Sequence, residues 1–290
     1  MSTEDKIWED FIALNSRDEP TFELLPRVGE LEDRRNWTVD TSFATADAIA
    51  AMEAADADPL PATEDREGYN GDRHYEYWIS GAQLASKIQQ TAAEHKVEPG
   101  IYAELGAASG RVVRHLARRR AFGEIWAFDI NWRHIVWMER HLPTNIIPVQ
   151  TSSIPTLPLE DASVDVFSAW SVFSHIETFE LQWLAEIRRV LKPGGIALLS
   201  VVTENQIGRM DKTWPMYEPL TTHPRWSPTF ADELKEQGKI VLRWRNDRSY
   251  ASNVVYTKEY IFRMWSRMFE IADYQEQYPD YQDMIVLKKR

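Results

Sequence analysis

Glu104, Gly106, Gly110 and Asp129 are the residues whose types and spacing could do chemistry. In the stretch Ala103-Glu-Leu-Gly-Ala-Ala-Ser-Gly110 a short apolar run passes through small residues into a segment with helical spacing. Such a bend between strand and helix lets main chain approach a ligand closely, because no Cβ stands in the way. Asp129 ends the next apolar run about 20 residues on, where a carboxylate can accept both hydroxyls of a ribose. Taken alone, these features suit NAD, FAD or S-adenosylmethionine.

The details of the bend separate those ligands. It reads Gly-x-x-x-Gly after an acid, so the Gly-x-Gly-x-x-Gly fingerprint of a dinucleotide site is missing. A pyrophosphate wants a bare helix N-terminus, and an acid just before the turn repels it. The methionine end of S-adenosylmethionine carries an ammonium, which Glu104 can hold. A nicotinamide-dependent oxidoreductase is therefore the weaker alternative.

The elements that must position these residues alternate. IYAEL, EIWAFDI, NIIPVQ, SVDVFSAW and PGGIALLSVV read as strands. Between them, RVVRHLARRR places Val112, Val113, Leu116 and Ala117 on one helical stripe, and WRHIVWMERHL and FELQWLAEIRRVLK are amphipathic. This rhythm calls for a doubly wound, mostly parallel α/β sheet. At the end, EIADYQ and QDMIVLKKR are joined by QYPDY, too short for a helical crossover, so they form an antiparallel hairpin. Upstream, TADAIAAMEAADAD predicts a helix capped by Thr45 or Asp47, DPLPATEDREGYNGD a loop, and HYEYWISGAQLASKIQQTAAEHK a helix burying Tyr77, Leu84 and Ile88. Residues 1–72 form an N-terminal extension and 73–290 one large domain. Within it, 203–256, with Pro215, Pro219, Pro224 and Pro228, is an insertion expected to lie over the sheet.

Composition removes several classes. The 290 residues carry a formal net charge of −12, which argues against a nucleic-acid partner. The basic run Arg111–Arg120 reads as a solvated helix face. With 0 cysteines there is no disulfide, thiolate metal site, iron–sulfur cluster or cysteine nucleophile. No apolar run is long enough to span a bilayer, and MSTEDKIWEDF lacks the features of a signal peptide. The expectation is a soluble, cytoplasmic protein without a bound metal; a homo-oligomer is allowed.

Together these residues resemble the class I S-adenosylmethionine-dependent methyltransferases, the seven-strand Rossmann-like group with an antiparallel hairpin of strands six and seven. Glu104-Leu-Gly106-Ala107-Ala108-Ser-Gly110 is similar to that family's acid-x-Gly-x-Gly-x-Gly loop, with alanine at the middle glycine. Asp129-Ile130 matches its ribose acid, Leu157–Glu177 its fourth-strand region, and EIRRVLKPGGIALLSVV its fifth-strand phrase. The resemblance implies S-adenosyl-L-methionine as cofactor, its methionine part on Glu104 and the Gly106–Gly110 loop and its ribose on Asp129. It further implies adenine near Ser152, Ser153 and Ile154, in place of the family's frequent Asp, and the methyl-donor pocket at Ala169 and Trp170. Tyr75, Tyr77 and Trp78 would close over the cofactor. His175, after the fourth strand, and His223, in the insertion, are the candidate bases, while His134 and His141 are read as surface residues.

The acceptor is narrowed by what is missing. VFSAWSVFSHI stands where an Asn/Asp-Pro-Pro-Tyr motif would mark amino-methylation of bases or glutamine. Covalent carbon-5 methylation of pyrimidines needs a cysteine. Of 12 tryptophans, Trp126, Trp137, Trp183 and Trp265 fall on core-like positions. Trp214, Tyr217 and Trp226 do not, and aromatic faces of that kind stack on the C–H face of a sugar. O-methylation of a sugar, polysaccharide or other small-molecule hydroxyl is the expectation. A non-catalytic binding module on the same fold is the other alternative.

Overall fold

The computed structural model describes residues 19–33, 39–214, 216–244 and 252–290. They fall into two compact units, one ending at Thr151 and one running from Ser152 to Arg290. The N-terminal MSTEDKIWEDF stretch and Pro215 lie outside the described residues.

The first unit is built on three parallel strands in the order β3 (Ile101–Leu105), β4 (Glu124–Asp129), β5 (Ile146–Gln150). Parallel neighbours need crossovers, supplied by α3 (Val113–Arg118) and α4 (Trp132–His141). At six residues α3 is too short to be stable alone. It is held by burial of Val112, Val113, Leu116 and Ala117, as the stripe predicts. Upstream, β1 (Leu24–Arg27) pairs antiparallel with β2 (Pro59–Pro61), a short strand inside a stretch expected to be loop. Helix α1 (Ala46–Ala55) opens at Thr45, whose hydroxyl accepts from the Ala48 amide at 3.2 Å. Helix α2 (His74–Glu94) buries Tyr75, Tyr77 and Trp78 among Val28, Leu31, Ile49 and Leu60.

The basic run departs from its expected solvated face. Arg114 is 0% exposed and clasps Asp56 with two bonds of 2.9 Å, Nε to Oδ2 and Nη2 to Oδ1. Trp78 Nε1 adds a third donor at 2.7 Å. Burial pushes the Asp56 carboxyl up, but Arg114 more than reverses that, and the net shift is downward. Arg118 pairs with Asp56 and Asp58, and Arg119 reaches Ser86, Gln89 and the Ala82 carbonyl on α2. Helix α2 crosses close by: a Cβ at Gly81 would fall 2.1 Å from the Arg111 carbonyl oxygen. The counter-charges of Arg114 and Arg118 lie far upstream in sequence, so local spacing alone does not show them.

In the second unit β6 (Val164–Ala169) and β7 (Leu191–Thr203) run parallel across α5 (Glu180–Val190). The predicted terminal hairpin is present: β10 (Glu270–Gln275) is antiparallel to β11 (Asp283–Lys288), which is antiparallel to β7. Asp283, 0% exposed, ties the hairpin to the end of β7 by accepting from Thr203, Gln206 and Tyr274, each at 2.6 Å.

The 203–256 segment does more than lie over a sheet. After α6 (Glu204–Arg209), α7 (Tyr217–Thr221) and α8 (Phe230–Gln237) it forms an antiparallel pair, β8 (Lys239–Arg243) and β9 (Ser252–Tyr256). Strand β9 then runs parallel to the last residues of β7, pairing Val202 with Val255 and Thr203 with Tyr256. Pro219 lies in α7 and Pro224 and Pro228 between α7 and α8; KIVLR and SNVVY are apolar enough to be strands. Helix α9 (Lys258–Trp265) leads on to β10. Trp137, Trp183 and Trp265 are buried as expected, whereas Trp126 is half-buried. Among the described residues no helix is long and apolar enough to cross a membrane.

Candidate functional site

The loop after β3 is shaped by three left-handed residues. Gly106, Ala108 and Gly110 have φ of 73°, 46° and 81°. Ala108 therefore adopts the conformation that the missing glycine would favour, at a cost on the order of 1 kcal/mol. At Gly110 a Cβ would lie 2.3 Å from Leu142 Cδ1, so any larger residue requires that side chain to move. The amides of Gly106 and Ala107 both donate to the Phe128 carbonyl, at 2.8 and 3.0 Å, which fastens the loop to β4.

That brings the two predicted acids and the loop together. Asp129 Oδ2 accepts from the Ala108 amide at 2.8 Å, and Oδ1 accepts from the Asn131 amide at 2.8 Å. His134 Nδ1 donates to the same Oδ1 at 3.2 Å. An ionised carboxylate offers about four acceptor sites, so room for a ribose hydroxyl remains. Ile130 is half-buried beside it.

Glu104 is different. It is 2% exposed and, among the described residues, accepts only from the Tyr102 hydroxyl, at 3.3 Å. Burial pushes its carboxyl up to about 8, against the pull of Arg111 and Tyr102. A cation placed against it would reverse that shift. An ammonium meets the requirement and a pyrophosphate does not, so these residues fit the methionine and ribose parts of S-adenosylmethionine.

His134 corrects the reading of a surface residue: it is 2% exposed, facing the end of β4 from the first turn of α4. Burial draws its pKa down, but the Asp129 carboxylate, with Glu67 and Asp65, raises it overall. His141 is half-buried against Trp137 and Phe22. Asn131 is a further contributor. It caps α4 by accepting from the Arg133 amide at 3.0 Å, and its Nδ2 donates to Glu67 at 2.9 Å. An Asn directly before a helical stripe is a legible cap signal; its link to Glu67 is not.

The second unit holds the remaining candidates. Ser152, Ser153 and Ile154 lie half-buried in a turn, with the Ile154 amide donating to Ser152 Oγ at 3.1 Å. Ala169 and Trp170 are buried at the end of β6. Ser153 Oγ and Trp170 Nε1 are buried without a hydrogen-bond partner among the described residues. His175 bonds through Nδ1 to the Ser252 carbonyl at 2.7 Å. A carbonyl only accepts, so Nδ1 carries the proton and Nε2 keeps its lone pair. Burial lowers the pKa of His175 and outweighs that bond. His223 is spent otherwise: Nε2 donates to the Arg243 carbonyl at 3.0 Å and Nδ1 accepts from the Arg225 amide at 3.1 Å. Neither nitrogen is left for a substrate proton. Trp226 stacks on Phe230 at 4.7 Å and packs into the core of the insertion, while Trp214 and Tyr217 are half-buried.

A family model described as a methyltransferase domain matches residues 103–199. No curated protein matches the sequence. Among solved structures, the PH0226 protein from Pyrococcus horikoshii is similar at 18% identity and a TM-score of 0.52, over 76% of this chain and 93% of that one. A putative S-adenosylmethionine-dependent methyltransferase from Listeria monocytogenes is similar at 13% identity and a TM-score of 0.51, over 73% and 99%. Both likenesses are of fold: mixed α/β, mostly parallel, with an antiparallel edge.

Proposed function

Because the chain carries a class I S-adenosylmethionine-dependent methyltransferase domain, with S-adenosyl-L-methionine as its donor, we propose that it methylates a hydroxyl of a sugar, glycan or other small molecule. The observation that carries the choice of a hydroxyl is His175. A hydroxyl is a weak nucleophile until its proton is taken, whereas a neutral amine already offers a lone pair. A half-buried imidazole with Nδ1 fixed on a carbonyl and its pKa lowered is neutral near pH 7 and offers Nε2 as base.

Bound to the chain, S-adenosylmethionine supplies an electrophilic methyl group on a sulfonium. Glu104 holds the ammonium of its methionine part. The Gly106–Gly110 loop, with Ala107 and Ala108, lets main chain close on it, and Asp129 with Ile130 takes the ribose. Ser152, Ser153 and Ile154 are assigned to the adenine, and Ala169 and Trp170 to the methyl-donor pocket. The idle polar atoms of Ser153 and Trp170 support this, since buried polar groups ordinarily have partners. His175 Nε2 would take the proton of the acceptor hydroxyl, and the sulfonium donor would supply the methyl group to that oxygen. Orientation supplies most of the remaining acceleration. Trp214 and Tyr217 are assigned to the acceptor; Trp226 serves packing, and His223 is left out of the chemistry. We assign residues 1–72 to an extension and 73–290 to the methyltransferase domain, with 203–256 on its acceptor side.

The test is incubation with methyl-labelled S-adenosylmethionine and a panel of sugars, oligosaccharides and small phenols, with amines as a contrast. Label on a hydroxyl supports the reading. Label only on amines, or on none of the panel, overturns the acceptor class. H175Q should lose turnover while still binding S-adenosylhomocysteine; unchanged turnover removes His175 as base.

A further inference from the structure

The donor reading provides for the ammonium and the ribose but gives the methionine carboxylate no partner. One stands in the first unit, outside the segment that the family model covers. Arg66 and Tyr77 are 1% and 2% exposed, with the guanidinium 4.8 Å from the centre of the tyrosine ring. Arg66 Nη2 is satisfied by the Gly71 carbonyl and by His74 Nδ1 at 2.8 Å. Its Nε and Nη1, and the Tyr77 hydroxyl, are buried without a hydrogen-bond partner among the described residues. Two idle donors on a buried cation, with an idle hydroxyl on the ring beneath it, are a standing penalty that an anion would relieve.

The turn bearing Arg66 is fastened to the donor loop on both sides. The Ser109 hydroxyl donates to the Asp65 carbonyl, and Arg133 pairs with the Asp65 carboxylate. Glu67 accepts from Asn131, whose own amide donates to Asp129 at 2.8 Å. Arg114, Arg111, Arg66 and Glu104 all act electrostatically on the Tyr77 hydroxyl. An acid for an ammonium and a cation for a carboxylate are thus set around one loop. Asp33, Asp72 and Glu64 also act on Arg66, which disfavours a dianionic phosphate and leaves a singly charged group as the better fit.

We propose that Arg66 and Tyr77 bind the α-carboxylate of the donor's methionine half, so that the N-terminal extension completes the donor site. The proposal rests on the donor reading above. Its test is calorimetry of wild type, R66M and Y77F with two probes, S-adenosylhomocysteine and its decarboxylated analogue, which keeps the ammonium.

Wild type should prefer the carboxylated probe. R66M should weaken S-adenosylhomocysteine by about 10- to 100-fold, the range for a hydrogen bond to a charged group, and leave the analogue nearly unchanged. Y77F should do the same by roughly fivefold. Should R66M fail to fold, Y77F, which loses one oxygen, decides by the same ratio. Equal affinity of wild type for both probes overturns the carboxylate contact and leaves the donor reading standing, as does equal weakening of both probes, or of neither, in the variants. Wild type that binds neither probe brings down the donor reading and this inference with it.

Discussion

Glu104 and Asp129 stand in neighbouring parallel strands, and both are buried, 2% and 7% exposed. Their surroundings differ. Asp129 is met by two main-chain amides and a histidine; Glu104 is met by one phenol at the long distance of 3.3 Å. The first is a finished bracket, rigid before any ligand arrives, and it also shapes the loop it serves. The second is unfinished, its charge withheld by burial until a cation comes. A site can thus keep geometry in one acid and selectivity for charge in the other.

Breaking the finished bracket should have the largest effect. D129A removes the ribose acceptor and leaves the Ala108 amide and His134 without their partner. The expected fall in S-adenosylhomocysteine affinity is about 100-fold or more, with a lower apo melting temperature. Wild-type affinity in calorimetry would reduce Asp129 to a structural part.

The loop between the acids comes next. G110A sets a Cβ against Leu142 at a φ of 81° and should destabilise the fold by about 1–3 kcal/mol in urea titration. Stability within 0.5 kcal/mol or so of wild type would show that the loop and Leu142 yield easily.

The unfinished bracket is then sharpened by pH. With its carboxyl at about 8 rather than 4.5, the folded ligand-free chain holds a proton on Glu104 that the unfolded chain has lost. Stability from this group therefore falls as pH rises through that window. An ammonium ligand draws the proton off, so affinity should rise toward pH 8, and calorimetry in buffers of different ionisation enthalpy should show up to one proton released. E104Q should abolish the release and weaken binding about tenfold; release that persists would move the acid elsewhere.

The smallest effect is A108G. Relief of the strain at φ 46°, offset by extra unfolded-chain entropy, should leave a gain of at most about 1 kcal/mol in the same titration.

Most of the elements were legible because local patterns dictate them. IYAEL, the Val112–Ala117 stripe, the Thr45 cap and the short QYPDY link each determine their own structure within a few residues. Asp129 was legible as well, because it ends a strand at a fixed interval from the loop. What escaped depends on distance along the chain. Arg114 looks like a surface cation until Asp56 is folded onto it, and His134 looks exposed until Asp129 faces it. Arg66 has no periodic signature at all; its meaning comes from Tyr77, on another element. The strands of the insertion were hidden by the prolines before them, although KIVLR and SNVVY carry β-branched residues of their own.

The Arg114–Asp56 clasp spans 58 positions, and that separation governs how the chain can be shortened. A polypeptide starting at residue 73 would retain the arginine and discard Asp56, the buried counter-ion it clasps, and stranding a charge in this way costs about 3–5 kcal/mol. The stretch that most resembles a self-sufficient catalytic core thus depends on an upstream strap, and during synthesis that strap emerges first and has to wait for the helix it will bind.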